Sequence, residues 1–259
     1  MNIRELQLEL KRRGFDPGSV DGIRGPKTDA AIIAFKQSVG LEARSYVGPK
    51  TLAAMGLPSE SAQRTSFVNL QAPALSPSDK IRAAENLGVS INHINMLLKV
   101  ESGGKSFDDK GRPIILFEPH IFHRRTGGVW SPSFYSYSKW GGKPYPKSFD
   151  GRWQQLEAAA TRNRVAALES ASWGLFQVMG FHWQALGYAS VNAFASAMTD
   201  GEPEQLDAMV RYITVNKLRE ALQVCKAGDP DSCRAFAKGY NGGGYAKNDY
   251  HTKMARALA

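Results

Sequence analysis

Apolar residues at helical spacing run through most of the chain, and one stretch of this kind ends in an acid. Ile91, Ile94 and Leu98 recur at intervals of three and four residues, which predicts an amphipathic helix. Glu101 follows Ile94 by seven residues, so it lies on the apolar face. An ionised carboxylate there, at the negative end of the helix dipole, is costly, and we expect a raised pKa. A general acid needs such a pKa, although a Glu that reaches solvent or pairs with Lys105 would fit the same pattern.

The beginning of the chain predicts a small helical unit. Leu6 and Leu10 mark a first helix, and a second helix carries Phe35 on its apolar side. We expect Gly25 to make the turn before the second helix and Thr28 to cap it.

A change of composition separates this unit from the rest. Residues 57–77 contain Ser, Pro, Gln and Ala with little periodicity, which is typical of a linker. Near its end, Ser76 and Asp79 have the spacing of a capping box, so a helix is predicted to begin there. The predicted organisation is a domain over 1–56, a linker over 57–77 and a second domain over 78–259.

The second domain is predicted to be mainly helical, with one short β-element. The apolar run 114–117 predicts a strand that ends at a second acid, Glu118. Residues 121–153 are rich in glycine, serine and aromatics, and so long an irregular stretch in a compact domain is usually functional. The helical pattern then resumes over about 153–171 and gives one long amphipathic helix from Leu206 to Leu222.

Charge and composition narrow the classes of partner. The net charge of +9 suits a polyanion such as nucleic acid, anionic lipid or a cell-wall polymer. Nucleic acid is not favoured because the chain has no basic run or basic heptad array. No apolar run approaches the roughly 18 residues of a membrane span, and the start lacks a secretory signal pattern. We therefore expect synthesis in the cytoplasm without stable membrane insertion.

The two cysteines do not predict a metal site. Cys225 and Cys233 match no metal-ligand spacing and no Cys-x-x-Cys motif. They could face each other across the turn between them, but we expect two thiols rather than a disulfide.

Three separated segments carry polar residues where packing residues would be expected. Glu101 precedes Ser-Gly-Gly, Gln177 interrupts an apolar run, and Tyr240 and Asn241 precede three glycines. A buried amide such as that of Gln177 must find hydrogen-bond partners. Consecutive glycines allow a ligand to approach the backbone closely. The pattern indicates a binding site assembled from distant parts of the chain.

In chain order, these segments resemble the catalytic motifs of goose-type lysozymes and lytic transglycosylases. The likeness is more specific to the phage N-acetylmuramidase family. It rests on the motifs at 112–120, 169–180 and 236–242, together with Tyr245, and it covers roughly 78–259.

The N-terminal part resembles the three-helix peptidoglycan-binding domain of cell-wall hydrolases over essentially all of residues 1–56. The candidate residues that we assign to this domain are Asp21, Gly22, Gly25, Thr28 and Phe35. Both halves together resemble a modular endolysin of phages that infect Gram-negative hosts.

The resemblance implies a mainly α protein: a three-helix peptidoglycan-binding domain followed by a lysozyme-like, α-rich catalytic domain with a small β-element. It implies hydrolysis of the β-1,4 bond between N-acetylmuramic acid and N-acetylglucosamine, with Glu101 protonating the leaving oxygen. The substrate-binding residues that it implies are Gln177, Tyr240, Asn241, Phe117, Trp173 and Tyr245. The expected partner is bacterial peptidoglycan. We expect a monomer without cofactor or metal, made in the host cytoplasm and acting in the periplasm once the membrane is permeabilised.

The second carboxylate of the reaction is an open question in the sequence, since glycosidases usually use two. Glu118 is our candidate, and an ion pair with Arg112, Arg124 or Arg125 is the structural alternative. Weaker candidates for the same role are Asp108 and Asp109. Without a second acid the reaction would resemble that of a lytic transglycosylase, in which the 6-hydroxyl of the substrate attacks and leaves a 1,6-anhydro product.

Two other classes of protein compete with a glycosidase. A zinc amidase would use a cluster such as His120 and His123, but these lie three residues apart and lack the His-Glu-x-x-His spacing. A wall-binding protein without activity would leave the embedded Gln177 and Tyr240 unexplained.

Overall fold

Two units divide the chain, one over Met1–Gln63 and the other over Arg64–Ala259. The computed structural model describes residues 3–41, 43, 45, 47, 49–56, 66–101, 105–139 and 145–259. Each unit buries apolar side chains of its own.

Three helices form the described part of the first unit: α1 (Ile3–Arg12), α2 (Pro26–Ser38) and α3 (Pro49–Ala54). Their apolar faces meet in one core, made of Leu6, Leu10, Ala31, Ile32, Phe35 and Met55. The predicted three-helix architecture is therefore confirmed.

The second helix of this unit begins differently from the prediction. Gly25 is its N-cap, with extended backbone and no capping side chain, and the helix starts at Pro26. Thr28 is buried inside the first turn, where its hydroxyl donates to the Pro17 carbonyl (3.0 Å) and accepts from Gln7 (3.2 Å). The interpretation of Thr28 as the cap is wrong, because proline can occupy the first helical turn and Thr28 is used for a tertiary contact.

The second half of the predicted linker packs against the second unit. Within residues 66–76, the Phe67 ring is buried and meets the Trp173 ring edge-on at 5.5 Å between centroids. The backbone N–H of Asn69 donates to the carbonyl of Gly111 (2.7 Å). This segment is thus part of the folded second unit.

The second unit is mainly helical, as predicted. Its helices are α4 (Pro77–Leu87), α5 (Ile91–Glu101), α6 (Pro119–Arg125), α7 (Phe149–Ala160), α8 (Arg164–Glu169), α9 (Val191–Asp200), α10 (Glu202–Val215), α11 (Arg219–Gln223), α12 (Arg234–Asn241) and α13 (Tyr250–Leu258). The predicted capping box at the start of α4 is confirmed: the Ser76 side chain accepts from the backbone of Asp79, whose carboxylate accepts from the Ser76 N–H (2.8 Å).

A small antiparallel sheet forms the β-element. Its strands, in spatial order, are β1 (Ile115–Phe117), β2 (Ala171–Trp173) and β3 (Val178–Met179). In the register, Ile115 lies opposite Trp173 and Phe117 opposite Ala171. The strand predicted over 114–117 is confirmed.

Two helix predictions need correction. The helix expected over about 153–171 is divided: α7 ends at Ala160, α8 begins after its N-cap Asn163, and β2 then takes up residue 171. The long helix expected from Leu206 to Leu222 is interrupted between α10 and α11, where Lys217 has a φ of +57°.

Large aromatic residues fill the interior of the second unit. Fully buried rings include Phe117, Phe122, Trp173, Phe194 and Phe236. Cys225 and Cys233 are buried free thiols, as expected. No helix among the described residues is long and apolar enough to cross a bilayer.

Candidate active site

Helix α5 carries Glu101 as its last residue. Ile94 and Leu97 are fully buried, whereas Ile91, expected on the same face, is exposed. Glu101 follows Leu97 by four residues and Ile94 by seven, so its position on the helix is on the buried face. The Glu101 side chain and residues 102–104 lie outside the described residues.

The C-terminal helix connects two of the predicted motifs. Helix α13 packs against both α5 and α12, so the helix ending at Glu101 and the helix ending at Asn241 share one neighbour. Tyr245, on the loop between α12 and α13, places its ring edge-on against buried His251 of α13 at 5.5 Å. The structure thus places Glu101 and the Tyr240–Tyr245 segment on elements that flank the same helix.

Gln177 lies in the turn between β2 and β3, with a φ of +49°. Its amide nitrogen donates to the carbonyls of Gly174 (2.7 Å) and Ile114 (3.3 Å), and its oxygen accepts from the Ser172 hydroxyl (2.8 Å). An amide has two N–H donors and two oxygen lone pairs. Gln177 therefore fastens the turn to the residue before β1, and the contacts of the described residues leave one of its lone pairs for a further donor.

A second glutamine supports this turn, and the motif analysis missed it. Gly174 has a φ of +67°, and the buried Gln205 side chain occupies the space that a Cβ at this glycine would fill. The Gln205 oxygen accepts from the Leu175 N–H (2.6 Å), and its nitrogen donates to the Met198 carbonyl (2.8 Å). A glutamine embedded beside the apolar positions of α10 was a signal that could have found it.

Phe117 and Trp173 belong to the interior beneath the sheet. Both side chains are fully buried, and the Trp173 indole N–H donates to the Leu168 carbonyl (3.1 Å). Because neither side chain is exposed in this structure, both support the candidate site from beneath, by packing under β1 and β2.

Tyr240 and Asn241 close α12, directly before Gly242, whose φ is +75°. Both side chains are half-buried. The Tyr240 ring stacks on buried Phe236 at 5.5 Å and meets the ring of Tyr212 edge-on at 5.4 Å. Aromatic packing therefore fixes the orientation of this ring.

Glu118 follows β1 and is the N-cap of α6. Its carboxylate accepts a 2.6 Å hydrogen bond from the Tyr145 hydroxyl. Burial raises the pKa of Glu118, and the Tyr145 hydrogen bond opposes that rise. His120 Nδ1 lies 3.2 Å away, but burial and the Arg124 charge lower the pKa of His120. The ring is therefore neutral at neutral pH and supplies no ion pair.

Two of the three arginines that could have neutralised Glu118 are engaged elsewhere. Arg112 pairs with Asp108 (2.6 Å) and also contacts Asp150. Arg125 pairs with Glu169 (2.5 Å). No ion pair joins Glu118 to a lysine or arginine within the described residues.

The same contacts define the surroundings of the weaker candidates. Asp108 is buried and bound to Arg112. Asp109 is almost fully exposed and lies 4.0 Å from Lys105.

Gln177 and Glu118 are both connected to β1. Gln177 donates to the carbonyl of Ile114, immediately before β1, and accepts from Ser172, which pairs with Leu116 in the middle of that strand. Glu118 immediately follows the strand. The Gln177 side chain therefore lies along the first part of β1, and Glu118 lies at its end.

In the first unit, a buried glutamine ties the candidate residues together. The Gln7 nitrogen donates to Asp21 (3.1 Å), to the Ile23 carbonyl (2.9 Å) and to Thr28, and its oxygen accepts from the Gly22 N–H (2.9 Å). Gln7 thus holds the 21–28 turn on α1. Of the other two candidates, Gly25 caps α2 and Phe35 is in the core.

His120 and His123, the two candidate zinc ligands, have other contacts. His123 Nδ1 lies 2.6 Å from the Ser131 hydroxyl, and His120 faces Glu118 as described. Among the described residues no group of three His, Cys, Asp or Glu side chains is placed to hold a metal ion.

Comparison with known families accounts for both units. Residues 90–259 match the N-acetylmuramidase family, and residues 2–55 match a peptidoglycan-binding domain family. The chain therefore belongs to the N-acetylmuramidase family, with a peptidoglycan-binding domain at its N-terminus. It is a peptidoglycan hydrolase of the muramidase type, a glycoside hydrolase.

One solved structure is similar to this chain over nearly its whole length. The crystal structure of the Burkholderia AP3 phage endolysin is 35% identical, with a TM-score of 0.64, and the match covers 99% of this chain and 92% of that one. No curated protein sequence matches the chain significantly.

Proposed function

We propose that this protein is an endolysin that hydrolyses the β-1,4 bond between N-acetylmuramic acid and N-acetylglucosamine, with Glu101 as general acid. The observation that carries the proposal is the family match over 90–259, which contains every candidate of the second unit. The position of Glu101 on the buried face of α5 supports it, because apolar surroundings favour the protonated form that a general acid needs.

Glu118 is the second carboxylate of this proposal. It is half-buried, has no lysine or arginine partner among the described residues, and accepts a hydrogen bond from Tyr145. A hydrogen bond to the ionised form favours that form, so Tyr145 counteracts the burial that raises the pKa of Glu118. An ionised Glu118 would act as nucleophile or as base for a water molecule.

The sugar contacts follow from the hydrogen-bonding capacity that remains. Gln177 has one lone pair to offer to an acetamido N–H or a sugar hydroxyl. Tyr240 and Asn241 at the end of α12, and Tyr245 on the adjacent loop, are the other sugar contacts, as the family resemblance implies. Phe117 and Trp173 act from beneath, by holding the sheet.

The N-terminal domain would hold the enzyme on the wall and so raise the local concentration of glycan strands. In this proposal the enzyme is a monomer that is made in the host cytoplasm and reaches the periplasm after membrane permeabilisation. Asp21, Gly22 and Thr28 shape the turn that presents the surface of the domain.

Mass analysis of fragments released from purified peptidoglycan tests the reaction. The proposal expects disaccharide–peptides with an intact, reducible N-acetylmuramic acid end. Anhydro ends would instead show a lytic transglycosylase, and reducible N-acetylglucosamine ends would show the wrong bond. Release of free stem peptides that a metal chelator abolishes would show an amidase.

A further inference from the structure

A continuous row of aromatic rings leads away from Tyr240. The Tyr240 ring meets Tyr212 edge-on at 5.4 Å, and Tyr212 meets His182 edge-on at 5.0 Å. His182 then contacts Phe181 at 4.3 Å between ring centroids. At the other end of the row, Tyr240 rests on buried Phe236. We call the four rings Phe181, His182, Tyr212 and Tyr240 the aromatic row.

The aromatic row is partly exposed and is held by regular structure. All four of its side chains are half-buried. They come from the 3-10 turn after β3, from α10 and from α12, and α10 also packs against β3. The rings therefore present edges and faces to solvent from fixed positions rather than from a mobile loop.

Two members of the row have unused polar groups. Among the described residues, neither the Tyr212 hydroxyl nor either ring nitrogen of His182 makes a hydrogen bond, and none of these atoms belongs to the fully buried unpartnered groups. Burial, and then the Arg125 charge, lower the pKa of His182, while burial raises the pKa of Tyr212. At neutral pH both groups are therefore uncharged donors or acceptors.

Uncharged polar groups on partly exposed rings match the chemistry of a sugar. A hexosamine ring has apolar C–H faces that pack on aromatic rings, and it carries hydroxyl and acetamido groups around its edge. An anionic ligand would instead require cations. Arg125, the cation whose charge acts on His182, is already paired with Glu169 and lies over Phe181.

We infer that the aromatic row is a secondary binding track for the glycan strand, which holds N-acetylhexosamine units beyond those in contact with Tyr240. The inference rests on the proposed function, since it takes Tyr240 as part of the cleavage site. It assigns binding roles to His182, Tyr212 and Phe181, which the motif analysis did not single out. The track should make affinity depend on the length of the glycan.

Binding measurements with full-length protein test the track. The parent is Glu101→Gln, so that the ligand survives, and the probes are a disaccharide and a hexasaccharide of β-1,4-linked N-acetylglucosamine, titrated by calorimetry. The variants are Tyr212→Leu, which removes the ring, Tyr212→Phe, which removes only the hydroxyl, and His182→Ala. Phe149→Ala is the matched control, because Phe149 is a half-buried ring under Arg152 outside the row.

The track predicts that the parent binds the hexasaccharide more tightly than the disaccharide. His182→Ala should weaken hexasaccharide binding by about three- to tenfold and leave disaccharide binding unchanged. Tyr212→Leu should weaken hexasaccharide binding at least as much, with a smaller loss for the disaccharide, because the Tyr240 ring loses its neighbour. Tyr212→Phe should cause a smaller loss, and Phe149→Ala none. If thermal unfolding shows that Tyr212→Leu does not fold, Tyr212→Phe and His182→Ala serve as the test of the track.

Equal losses for both probes, no loss, or a parent without preference for the longer probe would overturn the inference. The N-terminal domain is common to all variants, so its contribution cancels in the comparison. Failure of the proposed function is read separately, from the mass of the probe after titration. A probe cleaved by Glu101→Gln would remove Glu101 from its role; the variants would then be compared by their rates of hexasaccharide cleavage, which the track should lower in the same order.

Discussion

The Tyr145 hydroxyl donates a 2.6 Å hydrogen bond to the Glu118 carboxylate, 27 positions away in the chain. Burial, and then Glu118, raise the pKa of Tyr145 and that of Tyr137. Within the described parts of the chain, the groups around this carboxylate are thus hydroxyls and aromatic rings rather than lysines or arginines.

Removal of the Tyr145 hydroxyl should alter the acidic side of the pH profile. In Tyr145→Phe the hydrogen bond that favours the ionised form is lost, so the already raised pKa of Glu118 should rise further. If Glu118 acts as an ionised group, the acidic limb of kcat/KM must move to higher pH. The measurement is the pH dependence of kcat/KM on solubilised peptidoglycan, beside Tyr135→Phe, which removes a hydroxyl elsewhere in the same region. An acidic limb that stays in place, or moves to lower pH, would show that Glu118 does not act in its ionised form.

Glu101→Gln should abolish most of the activity without unfolding the protein. The amide retains the shape of the side chain but cannot donate the proton, and general acid catalysis contributes about 10²- to 10⁴-fold. Lysis rates, thermal unfolding and sedimentation with insoluble peptidoglycan should be measured together. Glu85→Gln, an exposed change on α4, is the control and should retain full activity. Near-normal lysis by Glu101→Gln would refute the role of Glu101.

Gln7→Ala should destabilise the N-terminal unit. The substitution leaves Asp21, Thr28, the Gly22 N–H and the Ile23 carbonyl without their shared partner, and an unsatisfied buried group costs about 1–3 kcal/mol. Hydrogen exchange at the Gly22 amide should accelerate accordingly.

The control for this prediction is Gln37→Ala, the same change at an exposed position of α2. Comparable exchange rates in the two variants would mean that Gln7 does not hold the turn.

Acid should weaken the N-terminal unit through Glu9. The hydrogen bond from Arg12, together with that from Arg13, lowers the pKa of Glu9 from 4.5 to about 2. Because the folded pKa lies below the unfolded one, the stabilisation is present above pH 4.5 and is lost as the pH falls towards 2. NMR titration of the Glu9 carboxyl and acid unfolding of the unit both report this effect.

Glu9→Gln should remove that part of the pH dependence between about pH 4.5 and 2. An ordinary pKa for Glu9, or an unchanged acid response in Glu9→Gln, would contradict the prediction.

Some elements were predictable from sequence, because residues close together in the chain specify them. The capping box of Ser76 and Asp79 and the apolar strand ending at Phe117 both depend on residues close in the chain. The interruption after α10 was not predictable in this way, because the residue with positive φ is Lys217 rather than a glycine or asparagine. Strand β2 is buried on both faces, so it has no alternation to distinguish it from the preceding helix.

The candidate site was predictable as a set of residues but not as an arrangement. Motif spacing indicated Glu118 and Gln177, yet only the structure shows that Gln177 bonds beside β1 and that Glu118 follows the end of that strand. The hydrogen bond from Tyr145 depends on the path of an irregular segment, for which the sequence offered only a high content of aromatic residues. Tyr212 looked like one more position on an amphipathic helix until its ring was seen against Tyr240.

The packing of residues 66–76 decides where the enzyme can be divided. Phe67 fills a place beside Trp153 and Trp173, and the Asn69 side chain donates to the carbonyls of Thr199 and Asp200. A chimaera that joins a foreign targeting module at the start of α4 would lack residues 66–76. The apolar surface that Phe67 covers would then be exposed to water. The safe junction for such engineering lies upstream of residue 66, well before the first helix of the hydrolase.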